Sequence, residues 1–274
     1  MTNAIGYRAA DCPISIGTTF IKRVQAVEFS RLIPTTPVQE HGRHTSVGVI
    51  QDIIGYTARL TQYTIDPNAL EEILAGVENP LPQDYIDATA VTVKGPYGGI
   101  SGAKVSDIVY TAEKGGSPGT TVISLMGTGW TTGTVAVPAA DLVTPGAYLG
   151  PDFYLLIDTD VELYRVQRVT VRLNLGANRL DEIHNAVPVG YAYDVPELTL
   201  EFEMVHYDET PAETEKWYPD QDSPTTFVFG IDGAVRTFTM ENMVSTGEPT
   251  NSSVRGWASL RYAYQSKTGI LTMS

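Results

Sequence analysis

Tyr56, Ala58, Leu60 and Gln62 alternate with Thr57, Arg59, Thr61 and Tyr63, a period of two that predicts a strand with one buried and one polar face. The pattern returns downstream, where Leu198, Leu200, Phe202 and Met204 form an apolar row and Thr199, Glu201 and Glu203 a polar one. After the first of these strands, the run from Asp66 to Gly76 predicts a short helix, with Asp66 as N-cap, Pro67 in the first helical position and Gly76 at the end. Thr210 to Trp217 carries a similar start signal, with acidic residues where a helix N-terminus favours them. Strand signals close both halves, at Thr121–Met126 and at Trp257–Tyr264.

These paired elements belong to an internal repeat. Residues 24 to 66 match 166 to 208 at one constant offset without a gap, with nine identities in 43 positions. Unrelated sequences of ordinary composition give roughly two to three. Val24 and Gln25 meet Val166 and Gln167, Val47 and Gly48 meet Val189 and Gly190, Asp52 meets Asp194, and Thr57 meets Thr199. Further on, Asp107-Ile108-Val109-Tyr110 resembles Thr226-Phe227-Val228-Phe229, at a shorter offset. That shortening predicts an insertion in the first half, for which the Pro- and Gly-bearing stretch 79–102 is the candidate. The expected fold is mainly β, in two tandem units, residues 1–145 and 146–274, meeting near Thr144-Pro145-Gly146.

A chain of 274 residues with 42% apolar and 18% charged side chains can bury such a core. The lone Cys12 forms no intramolecular disulfide, so the chain does not depend on an oxidising compartment. The first residues lack a basic stretch followed by an apolar core, and no apolar run approaches membrane-spanning length, so neither export by that route nor a membrane partner is expected. With 32 acidic against 18 basic residues the formal charge is −14, which repels nucleic acid and disfavours its specific binding.

No phosphate loop, His-Glu-x-x-His, Cys-x-x-Cys or Gly-x-Ser-x-Gly elbow is present in the sequence. Gly127-Thr128-Gly129 reads as a turn. His41 and His44 have metal-compatible spacing but lack a third ligand nearby, and His184 and His206 stand apart. Asp158, Asp160 and Glu162 share one side of an extended segment, where a charged edge that discourages strand pairing is the simpler reading. Asn251-Ser252-Ser253 fits a glycosylation sequon that carries little weight without an export signal. The sequence therefore assigns no catalytic residue, cofactor or metal site.

The segment Gln39-Glu40-His41-Gly42-Arg43-His44-Thr45-Ser46-Val47-Gly48, followed by Asp52 and a strand, resembles tail tube proteins of tailed bacteriophages. Its partner, Leu180 to Ile183 and then Pro188 to Glu203, resembles them too, about 40 residues in each half. The resemblance implies tube-like β-sandwich or barrel domains, each with a short flanking helix. It also implies a structural virion protein, made in the host cytoplasm and assembled into the tail. With two such domains, three copies close a pseudo-hexameric ring, and stacked rings make the conduit for DNA ejection. Implied partners are further copies, the tail tip, tape measure and terminator proteins, and DNA in non-specific passage. In this setting Thr57, Arg59, Thr61, Thr199, Glu201 and Glu203 are candidates for the lumen, where acidic or polar side chains let phosphates slide past. Residues 1–20 and 79–102 are candidates for contacts between rings. A distal-tail or baseplate component is the nearest alternative, and a carboxylate-based glycoside hydrolase the one from another class.

Overall fold

A computed structural model of the chain describes residues 13–39, 46–51, 53–63, 68–75, 77, 80–115, 119–133, 135, 153–158, 161–182, 185, 187–205, 224–231, 237–247, 250–254 and 257–273. The first half begins with β1 (Ile14–Ile16), β2 (Thr19–Ile21), β3 (Val24–Leu32), β4 (Thr35–Gln39), β5 (Ser46–Gln51) and β6 (Gly55–Gln62). The short helices α1 (Asn68–Ile73) and α2 (Pro82–Asp87) follow, then β7 (Val91–Gly95), β8 (Gly98–Glu113), β9 (Thr120–Gly127) and β10 (Gly129–Thr131). In the second half are β11 (Phe153–Ile157), β12 (Val161–Glu162), β13 (Val166–Asn174), β14 (Ala177–Leu180), β15 (Gly190–Tyr193) and β16 (Glu197–Val205). The chain continues through β17 (Thr225–Ile231), β18 (Thr237–Ser245), β19 (Thr250–Val254), β20 (Trp257–Ser266) and β21 (Leu271–Met273). The fold is mainly β, as the alternating patterns require.

Strand pairing repeats in one order. β3 pairs with β6, β6 with β9, and β9 with the second part of β8. Likewise β13 pairs with β16, β16 with β20, and β20 with β18 and β19. A second layer repeats too: β1 and β10 flank the β7–β8 hairpin, as β11 and β21 flank β17–β18. Two-stranded ribbons leave at equivalent places, β4–β5 between β3 and β6, and β14–β15 between β13 and β16. Even a bulge is shared, between Val24 and Ala26 and between Val166 and Arg168.

The halves meet where β8 pairs antiparallel with β13, from Arg168 opposite Glu113 to Asn174 opposite Asp107. One sheet therefore runs β3-β6-β9-β8-β13-β16-β20, with β18 and β19 along the far edge of β20. The order is head to tail, not mirrored. A single hydrophobic core lies beneath both halves, and across it the Tyr110 ring packs 4.4 Å from Phe238.

β8 is 16 residues long because it serves both layers, pairing first with β7 and β10 and then with β9 and β13. It bends at Gly102, whose φ of 60° is the left-handed conformation glycine tolerates. At Gly99 a Cβ would stand 1.9 Å from the Val93 carbonyl oxygen, so only glycine lets β7 approach. In the second half this long strand is divided between β18 and β19, and Asn242, with φ 55°, occupies the corresponding bend.

Three expectations change. Asp107–Tyr110 lies in β8 and Thr226–Phe229 in β17, which have different partners; the counterpart of β8 is β18 with β19, so the shortened offset that called for an insertion does not arise. The described part of 79–102 holds α2, β7 and the start of β8, a packed hairpin where a long loop was expected. Ile14 and Ile16 are buried in the β1–β2 hairpin, so that part of the N-terminal segment is no free arm. The expected helix at 210–217, the junction at 144–146 and the cap Asp66-Pro67 lie outside the described residues.

Candidate functional site

The core face of the long sheet is sealed by rows such as Tyr56, Ala58 and Leu60 on β6 and Leu198, Leu200 and Phe202 on β16. Its other face is polar by the same alternation and forms an open trough of about 720 Å³ centred on the β8–β13 seam. Arg59 of β6 and Ser124 of β9 stand on one side, Asp107 of β8 and Arg172 of β13 in the middle, and Thr199 and Glu201 of β16 on the other. Val109 and Val122, opposite each other on β8 and β9, give the floor an apolar strip.

Charges on this face are paired across strands. The Arg172 Nε donates to Asp107 Oδ1 at 2.7 Å, tying β13 to β8. Arg168 donates to Glu113 at 2.8 Å and its guanidinium also stands 3.8 Å from Glu203 of β16. The hydrogen bond to Glu113, opposed by burial and helped by the charges of Glu113 and Glu203, raises the Arg168 pKa above its ordinary value. Arg261 of β20 donates to Glu201. The ladder Glu113, Arg168, Glu203, Arg261 thus crosses four neighbouring strands in register. Its charges balance, so the −14 of the chain is not concentrated here.

All six residues singled out from sequence fall on this polar face, three on β6 and three on β16, four strand steps or roughly 19 Å apart. Arg59, Thr199 and Glu201 line the trough. Thr57 is exposed opposite Met126, and Thr61 is half-buried opposite Val122. Glu203 is buried beside Arg168 in a smaller hollow next to the trough. Arg59 makes no ion pair among the described residues. Asp107, Arg172, Arg168 and Arg261 were not anticipated; the alternation of Arg168, Thr170 and Arg172 with Val169, Val171 and Leu173 was the available signal. His41, His44, His184, His206 and Asp160 lie outside the described residues. Among the described residues no three His, Cys, Asp or Glu side chains gather as metal ligands. Asp158 accepts a hydrogen bond from the Thr225 hydroxyl.

A second feature is the contrast between two equivalent strands. On β13, Val166, Val169, Val171, Leu173 and the following Leu175 are buried, because β8 and the first-half core cover them. Their counterparts Val24, Val27 and Phe29 on β3 are only partly buried, and Arg31 and Ile33 are exposed. Among the described strands β3 is paired on one side alone, with β6. The ribbons differ in the same way. β14–β15 lies across the seam, Arg179 donating to the Ile53 carbonyl at 3.3 Å and the Tyr191 hydroxyl to the Gly102 carbonyl at 3.3 Å. Burial, with the charge of Tyr193 adding, raises the Tyr191 pKa, and burial pushes Tyr193 up to about 12. No protein-family model matches the chain, and no curated protein matches it in sequence.

Proposed function

We propose that this chain is a self-assembling structural subunit of a phage-type tail tube, with no catalytic chemistry. Copies join edge to edge, three copies close a ring, and rings stack into a conduit for DNA. The observation that carries this reading is the head-to-tail strand order. Because β8 accepts β13 within the chain, the equivalent far edge, β18 with β19, which has no outer partner among the described strands, can accept β3 of another copy. A head-to-tail interface of this kind either closes a ring or runs on as a filament.

Closure after three copies places about 24 tilted strands in one barrel, a backbone circle roughly 45–50 Å across. Polar faces toward the bore present the guanidinium groups of Arg168, Arg172 and Arg261 already held by carboxylates, which lowers their attraction for passing phosphates and leaves Arg59 as the exception.

Electron microscopy of the purified chain at rising concentration, with a tail-tip complex as nucleus, tests the reading. Stacked rings whose mass corresponds to three copies are expected. A chain that stays monomeric even with the nucleus would overturn it, and rings that never stack would point to a baseplate component instead.

A further inference from the structure

The structure contains one joint between repeats and leaves half of another open, so the two can be compared position by position. The shared bulge and the matched ribbon registers align β3 with β13 and β4 with β14 residue for residue. In the internal joint, Arg168 and Arg172 of β13 hold Glu113 and Asp107 of β8. The positions aligned with them on β3 are Ala26 and Ser30, which carry no charge.

The ribbons change in the same direction. Arg179 of β14, which reaches the Ile53 carbonyl of the preceding repeat, is aligned with Pro37 of β4. Ile53 itself corresponds to Val195 at the entry to β16, and Val195 is 80% exposed. Gly102, which accepts the Tyr191 hydroxyl, corresponds to Asn242, the other left-handed bend. Leu32 and Ile33, at the end of β3, are both wet in the isolated chain, and so is Pro37 on β4. In the internal joint the residue aligned with Ile33 is the buried Leu175, whose backbone N–H donates to the Ser106 carbonyl at 3.0 Å.

Resting on the tail-tube reading, we infer that the occupant of these exposed positions is a second copy of this chain, and that the joint between copies is apolar where the joint within the chain is ionic and hydrogen-bonded. The ribbon β4–β5 of one copy lies over the second half of its neighbour, Pro37 against Val195, and Ile33 becomes as buried as Leu175. No arginine stands on β3 at the positions of Arg168 and Arg172 to tie that edge to its acceptor. Cohesion there comes from removing apolar surface from water and from the strand ladder, both little affected by salt screening.

Proximity is tested in a Cys12→Ser background carrying Pro37→Cys and Val195→Cys, treated with a short bismaleimide after ring assembly. Covalent dimers and trimers on a denaturing gel are expected, while Ile53→Cys with Arg179→Cys, the equivalent internal pair, links within one chain only. Rings visible by microscopy that give no 37–195 link would overturn the inference and leave the tail-tube reading standing. Failure to form rings in the background protein itself would remove the reading and the inference together. As an independent measure, ring content should change less than about twofold between 0.1 M and 1 M NaCl, a range over which the Debye length falls from about 10 Å to 3 Å. A tenfold loss would show an ionic joint and overturn the apolar assignment.

Discussion

Replacing Leu175 and Ile33 by alanine, one at a time, separates what each does for the chain from what it does for the assembly. Leu175 is 0% exposed and Ile33 is 42% exposed, although they hold equivalent positions after β13 and β3. Leu175→Ala removes a fully packed side chain and should destabilise the isolated chain by about 2–5 kcal/mol. Full burial of an isoleucine is worth about 1.5–3 kcal/mol, so at Ile33 roughly 1 kcal/mol of that burial has yet to be realised. Ile33→Ala should therefore cost the isolated chain roughly 1 kcal/mol and cost each joint between copies a similar amount. Over a ring of three this sums to about 3 kcal/mol, roughly two orders of magnitude in the assembly constant. Urea unfolding of the unassembled chain reads the first quantity, and sedimentation across a concentration series reads the second. The reasoning is refuted if Ile33→Ala shifts unfolding as far as Leu175→Ala does, or if it leaves the concentration dependence of assembly unchanged.

The buried Tyr193 hydroxyl has no hydrogen-bond partner among the described residues, so Tyr193→Phe should be neutral or slightly stabilising at pH 7, checked by thermal melting. Its folded pKa is raised to about 12 from an ordinary value near 10, so its contribution is intact below about pH 10 and is lost as pH rises toward 12. The phenylalanine variant should lose less stability over that window, and parallel losses in the two proteins would contradict the burial. Gly99→Ala places a methyl group 1.9 Å from the Val93 carbonyl oxygen and should part β7 from β8, costing more than about 3 kcal/mol in urea unfolding. An unchanged midpoint would mean that the two strands are not so close.

Period-two alternation made β6 and β16 legible together with the orientation of their faces, since Tyr56, Ala58 and Leu60 are buried while Thr57 and Arg59 are exposed. The repeat set the alignment of β3 with β13 correctly through the bulge that both contain. Beyond β6 the reasoning slipped, because Asp107–Tyr110 and Thr226–Phe229 share a local pattern but not a neighbour. A strand's own side chains report that one face is buried, not which strands lie beside it. For the same reason the trough was half visible: the polar rows of β6 and β16 could be read, but strand pairing was needed to set Asp107, Arg172 and Arg261 between and beside them. That β8 serves two layers was hidden too, since its bend at Gly102 interrupts no hydrophobic pattern strongly enough to split it.

Carrying β8 and β13 on one polypeptide has a kinetic consequence. Segments tethered by a linker meet at an effective concentration in the millimolar range for short flexible connections, whereas an edge that must find another molecule meets it only at the bulk concentration. The tethered joint forms as the chain folds and does not come apart on dilution. The β3 edge, with Glu28 directed away from the core and the exposed Arg31 on the same side as the core residue Tyr56, can wait in solution until concentration or a template makes the encounter worthwhile.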